Sequence, residues 1–293
     1  MQLAQSKNSN ARLESSSANI LRKGGSDTIK ENAFYGTPLP GHEQEHYNGK
    51  LIVIEGTDGV GRSTHIGLLR QWLESRGHAV LDTGMTRSVL AGGGIKEAKT
   101  GHTLGRLTMQ LFYATDFVDR LENEMLPALR AGFIVLTDRY IYSAMARAEV
   151  RGMDSGWIRS IYGMALIPDA VFYLRIESTQ QLVERVLASG RRFDYWESGM
   201  DLHLGADFYD SFVEYQTRML KVFDRMANEY GFHVLNASRS VRSVAADLRR
   251  AVGRLIDEPA FPADAAASKP KTSTPSEPGA RSNEENVQGV VNP

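Results

Sequence analysis

EGTDGVGRSTH, Glu55–His65, sets Gly56, Gly59 and Gly61 within a few residues of one another and follows them at once with Arg62, Ser63 and Thr64. The run before it, LIVIE (Leu51–Glu55), is apolar and β-branched, as a buried strand is. The run after it, STHIGLLRQWL, repeats apolar residues at the three- and four-residue spacing of a helix. A glycine turn in that context lets successive backbone N–H groups face one anion, and the helix start adds its positive end. The spacing predicts a phosphate-holding loop over Gly56, Thr57, Asp58, Gly59, Val60, Gly61, Arg62, Ser63 and Thr64. An ordinary glycine turn is the plain alternative, and the strand-then-helix context argues against it. The phosphate pattern G-x-x-x-x-G-K-[ST] has lysine where this chain has Arg62. A guanidinium is larger and flatter than an ammonium, so this one position supports nucleotide binding ahead of catalytic rate. Ser63 is placed to offer its hydroxyl to Mg2+, and Arg62 to lie over the terminal phosphates.

Outward from the loop, short apolar runs alternate with longer amphipathic ones. HAVLD (His78–Asp82), FIVLTD (Phe133–Asp138), AVFYLRI (Ala170–Ile176) and FHVLNA (Phe232–Ala237) join LIVIE as strands. HIGLLRQWLESRG, FYATDFVDRLENEMLPALRAG and TQQLVERVLASG carry helical spacing and end in glycine, a helix stop. Strands alternating with helices predict an α/β fold: a five-stranded parallel sheet of the P-loop NTPase type, with helices on both faces. The polar, aperiodic stretches at the two ends predict disordered tails over residues 1–48 and 257–293, flanking one domain over 49–256.

Of the 293 residues, 42% are hydrophobic, enough for a sizeable core, and the net charge of -1 supplies no overall basic field. Non-specific nucleic-acid binding is therefore disfavoured. The chain has no cysteine, which excludes disulfides, thiolate metal sites and a cysteine nucleophile. No segment approaches the ~20 apolar residues of a membrane span, and no signal-like stretch opens the chain, so the reading is cytoplasmic, with no membrane partner.

Beyond the loop, the same order and spacing run through LFYATDFVDRLENEMLPALRAGFIVLTDRYIYSAMA, PDAVFYLRI, GRRFDYWE and DFYDSFVEYQTRM. On these stretches the chain, from about Lys50 to Ile256, resembles the thymidylate kinase family of nucleoside monophosphate kinases. The resemblance implies transfer of the ATP γ-phosphoryl to dTMP or a related nucleotide, with Mg2+, by a protein that is commonly a homodimer. It also implies roles. Arg139 in TDRY grips the acceptor phosphate, and Asp138 beside it helps hold Mg2+ or aims that arginine. Tyr113 stacks on the acceptor base, with Phe112 as core; Asp58 organises acceptor and metal, or else caps the next turn. Arg191 and Arg192 belong to a lid that stabilises the phosphoryl in flight, unless they are ordinary solvated charge. Arg87 stays from the family's TREPGGT stretch, in TRSVLAGGGIKEA, whose three glycines suggest a flexible flap or a plain surface loop.

The acceptor side departs from the family. Phe117 stands where an arginine usually contacts the acceptor phosphate, with Arg120 one turn later as a partial substitute. Ala144, Arg147 and Ala148 replace the usual polar or aromatic surroundings of base and sugar. Three readings stay open: an active nucleotide kinase; a nucleotide-binding regulator with little turnover, favoured by Arg62 and Phe117; and a kinase for another phosphorylated small molecule, favoured by Arg147 and Ala148. No N-K-x-D guanine reader supports a GTPase, and no helicase-like element a nucleic-acid motor.

Overall fold

A computed structural model describes residues 33–42, 45–102, 104–190 and 192–257. Five parallel strands, β1 (Lys50–Glu55), β2 (Val80–Gly84), β3 (Ile134–Asp138), β4 (Ala170–Arg175) and β5 (His233–Asn236), form one sheet in the order β2-β3-β1-β4-β5. The five expected strands are all present. β1 lies central, and its side chains alternate between two cores because successive residues of a strand point to opposite faces. Leu51 and Val53 enter one apolar cluster, Ile52 and Ile54 the other. The register pairs Ile54 with Asp138. The chain leaving β1 and the chain leaving β3 therefore emerge side by side at one sheet edge, where ligands bind in open α/β sheets.

The helices cover both faces. α1 (Arg62–Ser75) starts directly from the glycine turn; α2 is Gly92–Gly101, α3 Arg106–Arg120, α4 Leu126–Arg130, α5 Ile141–Val150, α6 Ser155–Ile161, α7 Thr179–Ala188, α8 Phe208–Tyr230 and α9 Val241–Asp257. A π turn over Leu121–Met125 joins α3 to α4. Pro127 explains it, because its ring crowds the carbonyl four residues back and it has no N–H to donate.

Two expectations change. Gly92–Gly101 is a helix, not a flap or an open loop. Each helical glycine costs up to about 1 kcal/mol against alanine, and burial of Ile95 and Ala98 against Met109 and Tyr113 offsets it. Close packing also requires glycine here. A Cβ at Gly92 would meet the Thr86 carbonyl at 2.7 Å, and one at Gly94 the Phe112 ring at 3.2 Å. Packing against the core also begins before the boundary expected at residue 49. Phe34 bridges Leu166, Tyr35 N–H donates to Ala165 O at 3.0 Å, Leu39 is buried, and Tyr35 bonds Tyr142 through the two hydroxyls. Sparse aromatic residues in a polar segment carry no period, so composition hid them. The remaining expected tail, residues 1–32 and 258–293, lies outside the described residues.

Candidate active site

Gly56 and Gly59 sit at φ 151° and 81°, in the region that favours glycine, and let the loop curl back over the end of β1. Among the described residues, the backbone N–H groups from Gly59 to Thr64 have no hydrogen-bond partner. At the start of a helix, such a run of free donors is what an anion needs. The donor chemistry therefore fits the phosphates of a nucleotide.

Arg62 does not extend away from this loop. Its Nη1 donates to Gly56 O at 2.7 Å and to Thr57 O, and its Nε donates to Asp138 Oδ1 at 2.8 Å. Ser63 Oγ donates to the other oxygen, Asp138 Oδ2, at 2.8 Å. One carboxylate thus ties both side chains to the end of β3. Burial alone would raise the Asp138 carboxyl; Arg62, then Arg139, outweigh it and hold it below its ordinary value. Among the described residues no three His, Cys, Asp or Glu side chains converge as a metal centre. A hydroxyl and a carboxylate beside a phosphate loop nonetheless suit a hard cation that also binds phosphate oxygens.

Arg139 follows Asp138 at φ 72°, a left-handed conformation that a side chain adopts at a cost of about 1–3 kcal/mol. Thr137 Oγ1 fixes it by donating to Arg139 O at 2.7 Å, and Arg139 N–H donates to Ile54 O at 3.1 Å. The twist turns the guanidinium under the loop, where it pairs with Asp58 and donates to Ser143 Oγ at 2.8 Å and Gly56 O at 3.3 Å. Burial and the nearby Arg62 lower Arg139 to about 10, still protonated at neutral pH. Asp58 is the hub: it also accepts from Arg147 at 3.2 Å and from Gln216 Nε2 at 3.3 Å. Burial would raise its carboxyl, but Arg139, Arg147 and Arg62 hold it well below the usual carboxylate range.

With this geometry in place, comparison with known proteins is informative. A family model described as thymidylate kinase matches residues 54–248. The chain belongs to the thymidylate kinase family. It is 36% identical over 210 residues to a probable thymidylate kinase 2 of Saccharolobus solfataricus, covering 71% of this chain and 98% of that protein. Against a thymidylate kinase of Clavibacter michiganensis the identity is 34% over 217 residues, covering 71% and 96%. A probable thymidylate kinase of Thermococcus gammatolerans is 27% identical over 210 residues, covering 68% and 94%.

In this thymidylate kinase family chain, Arg147 and Ala148 line a cavity beside the hub. This cavity of about 120 Å3 opens between α3, α5 and the segment that carries Trp196, lined among others by Met109, Gln110, Tyr113, Arg147, Arg151 and Trp196. Tyr113 is a wall of it, while Phe112 packs beside Gly94. Burial would raise the Tyr113 phenol; Arg147, Lys99 and Arg151 together hold it below its ordinary value. Phe117 is buried between Tyr140 and Tyr162, with ring centroids 5.3 and 5.8 Å away. Arg120 is buried too, its Nε and Nη2 both donating to Asp116 Oδ2 at 3.1 and 3.0 Å. Asp116 in turn accepts from the N–H groups of Thr86 and Ser88, both at 2.9 Å, and so pins the loop where Thr86 has φ 67°. Arg87 lies on the surface and pairs with Asp82 at 2.8 Å. Arg192 is exposed, with no hydrogen bond or ion pair among the described residues; Arg191 lies outside them.

Several residues of the site were not singled out from the sequence. Glu55 ends β1 fully buried, accepting from Tyr140 N–H at 2.9 Å, Ser143 N–H at 3.1 Å and Ser143 Oγ at 2.6 Å. It fastens the start of α5, the helix that carries Ser143 and Arg147. Burial raises its carboxyl above the ordinary value, despite Arg139. The signal was a charged residue closing an otherwise apolar strand. Gln216, Arg151 and Asp201 gave none, because charged and polar residues usually face solvent. Arg151 pairs with Asp201 through Nε at 2.9 Å and Nη2 at 3.1 Å.

Proposed function

We propose that the chain is a nucleoside monophosphate kinase that transfers the γ-phosphoryl of ATP to dTMP or a related nucleotide. The observation that carries this reading is the meeting, at one sheet edge, of free loop N–H donors, the Ser63–Asp138 pair and the Asp58–Arg139–Arg147 cluster. The loop from Gly56 to Thr64 holds the ATP phosphates. Ser63 and Asp138 hold Mg2+, which when bound neutralises phosphate charge. Arg139 takes the acceptor phosphate, and Asp58 keeps that guanidinium aimed. An acceptor phosphate oxygen bonds to the γ-phosphorus as the bond to the β-bridging oxygen breaks, and ADP leaves. No covalent intermediate or general base is required, since the attacking oxygen is already anionic and positioning does the work. Arg192 closes over the transferring group, and Arg87 and Arg120 support the acceptor side.

We place the protein in the cytoplasm as a homodimer; no helix among the described residues is long and apolar enough to cross a membrane. A second reading, a nucleotide-binding regulator with little turnover, is favoured by the commitment of Arg62 to Asp138 and to the loop carbonyls. ADP formation with MgATP and a panel of nucleoside monophosphates separates the two. The kinase reading expects dTMP-dependent turnover, and a rise in kcat of about tenfold for Arg62→Lys, worth about 1.4 kcal/mol. MgATP binding without turnover on any acceptor, in both proteins, leaves the regulator.

A further inference from the structure

Arg147 is a buried guanidinium with most of its hydrogen-bonding capacity unspent. It is 8% exposed, and its Nη2 makes two long bonds to Asp58, at 3.2 and 3.4 Å. Its Nε is buried with no partner. Its Nη1 also has none among the described residues. A buried donor left unpaired costs about 1–3 kcal/mol, and Asp58 already serves Arg139 and Gln216. The missing acceptors must therefore come from whatever fills the adjoining cavity.

The rest of the lining says what that is. Leu104, Met109, Met153, Tyr113 and Trp196 form apolar and aromatic walls, which suit a flat ring. The polar groups are mostly donors, and the cavity's carboxylate, Asp201, has both oxygens taken by Arg151. Gln110 gives its amide nitrogen to Tyr162 Oη at 2.9 Å, which leaves its carbonyl oxygen to accept from a ring N–H. Charge gives a further bound. Around the cavity the cations Arg139, Arg147, Arg151 and Lys99 outnumber the carboxylates Asp58, Asp201 and Glu197, with Arg106 exposed at the mouth. A phosphomonoester answers that surplus, and the apolar and aromatic walls suit a neutral ring at the ligand's other end.

Building on the kinase reading, we infer that Arg147 is the specificity-determining residue of the acceptor pocket: it donates to a ring carbonyl and selects keto pyrimidines over bases that present an amino group. Base reading in this chain thus comes from α5. Cytosine or adenine would bring an amino donor against guanidinium donors and leave both unpaired, a mismatch that a site built on hydrogen bonds rejects strongly.

Equilibrium calorimetry of the full chain with dTMP, dUMP and dCMP, each without ATP, tests this independently of turnover. Arg147→Lys keeps a cation for Asp58 but lacks the planar fork. The native chain is expected to bind dTMP and dUMP at least about tenfold more tightly than dCMP, and the variant to compress that ratio to within about threefold. A cooperative thermal melt of the variant shows that it is folded. A variant that weakens all three nucleotides equally would make Arg147 only a partner of Asp58 and overturn the inference. Absence of keto preference in the native chain would overturn it as well. Keto-selective binding with no ADP formed on any acceptor would sink the kinase reading and leave this inference standing.

Discussion

The phosphate loop and the acceptor pocket lie on either side of Asp58, and they are built in opposite ways. The loop is local: Arg62 reaches Gly56 O across six residues of chain, and one strand and one helix supply most of it. The pocket is assembled from afar. Asp58 meets Arg147 across 89 residues and Gln216 across 158. The loop leaves backbone donors free for a ligand, whereas the pocket buries side-chain charges that must satisfy one another first. Changes in the loop should therefore act on rate, and changes at the hub on folding and rate together.

The hub gives the largest expected effect. Asp58→Ala leaves Arg139 and Arg147 buried without their shared carboxylate, and removing one partner of a buried pair costs about 3–5 kcal/mol. Turnover should drop by on the order of a thousandfold, because the acceptor-side arginines lose their aim. Urea unfolding and a steady-state assay on the same preparation check both. A fall in rate with unchanged stability would show that the hub is no more interdependent than the loop.

Phe117→Arg comes next. Read from the sequence, this substitution restores a family arginine; in the structure it drives a cation between Tyr140 and Tyr162, where the ring is 3% exposed. An unpaired buried charge should cost roughly 3 kcal/mol or more and lower the melting temperature without improving acceptor binding. Tighter dTMP binding in a stable variant would mean that the pocket can be rewired as locally as the loop.

That case shows what was legible. The five strands, the loop and the TDRY edge were readable because each is contiguous and its period or glycine spacing is a local property. The helix at Gly92–Gly101 was not, since glycines suggest a flexible loop until Phe112 and Thr86 are seen pressing against them. Asp116 gave no sign of pinning Thr86 and Ser88, nor Glu55 of fastening α5, because only the fold creates those bonds. The loop's chemistry was written in sequence order, the pocket's in three dimensions.

A smaller effect follows from the opposite shifts of the buried carboxylates. Asp58 and Asp138 are held low, so their contribution to stability is complete above the unfolded value near 4 and is lost as pH falls through their folded values. Glu55 is raised, so as pH climbs past the unfolded value near 4.3 the unfolded chain releases a proton that the folded chain keeps, and stability declines. Glu55→Gln removes that decline. Relative to the native chain, it should gain on the order of 1 kcal/mol per pH unit just above 4.3, whatever its absolute stability. Parallel unfolding curves across that window would assign the pH dependence to the low carboxylates alone.

The smallest effect on folding belongs to Arg192, which lies outside both networks. Exposed and without a described partner, it can be removed at a cost within about 0.5 kcal/mol. If it closes over the transferring phosphoryl, Arg192→Ala should still lower kcat by about tenfold while leaving the KM for dTMP unchanged, because a group that meets only the transition state leaves ground-state binding alone. A KM effect without a kcat effect would instead attach this arginine to the acceptor pocket. The lid would then belong with the pocket, whose parts act together, and the loop alone would remain separable.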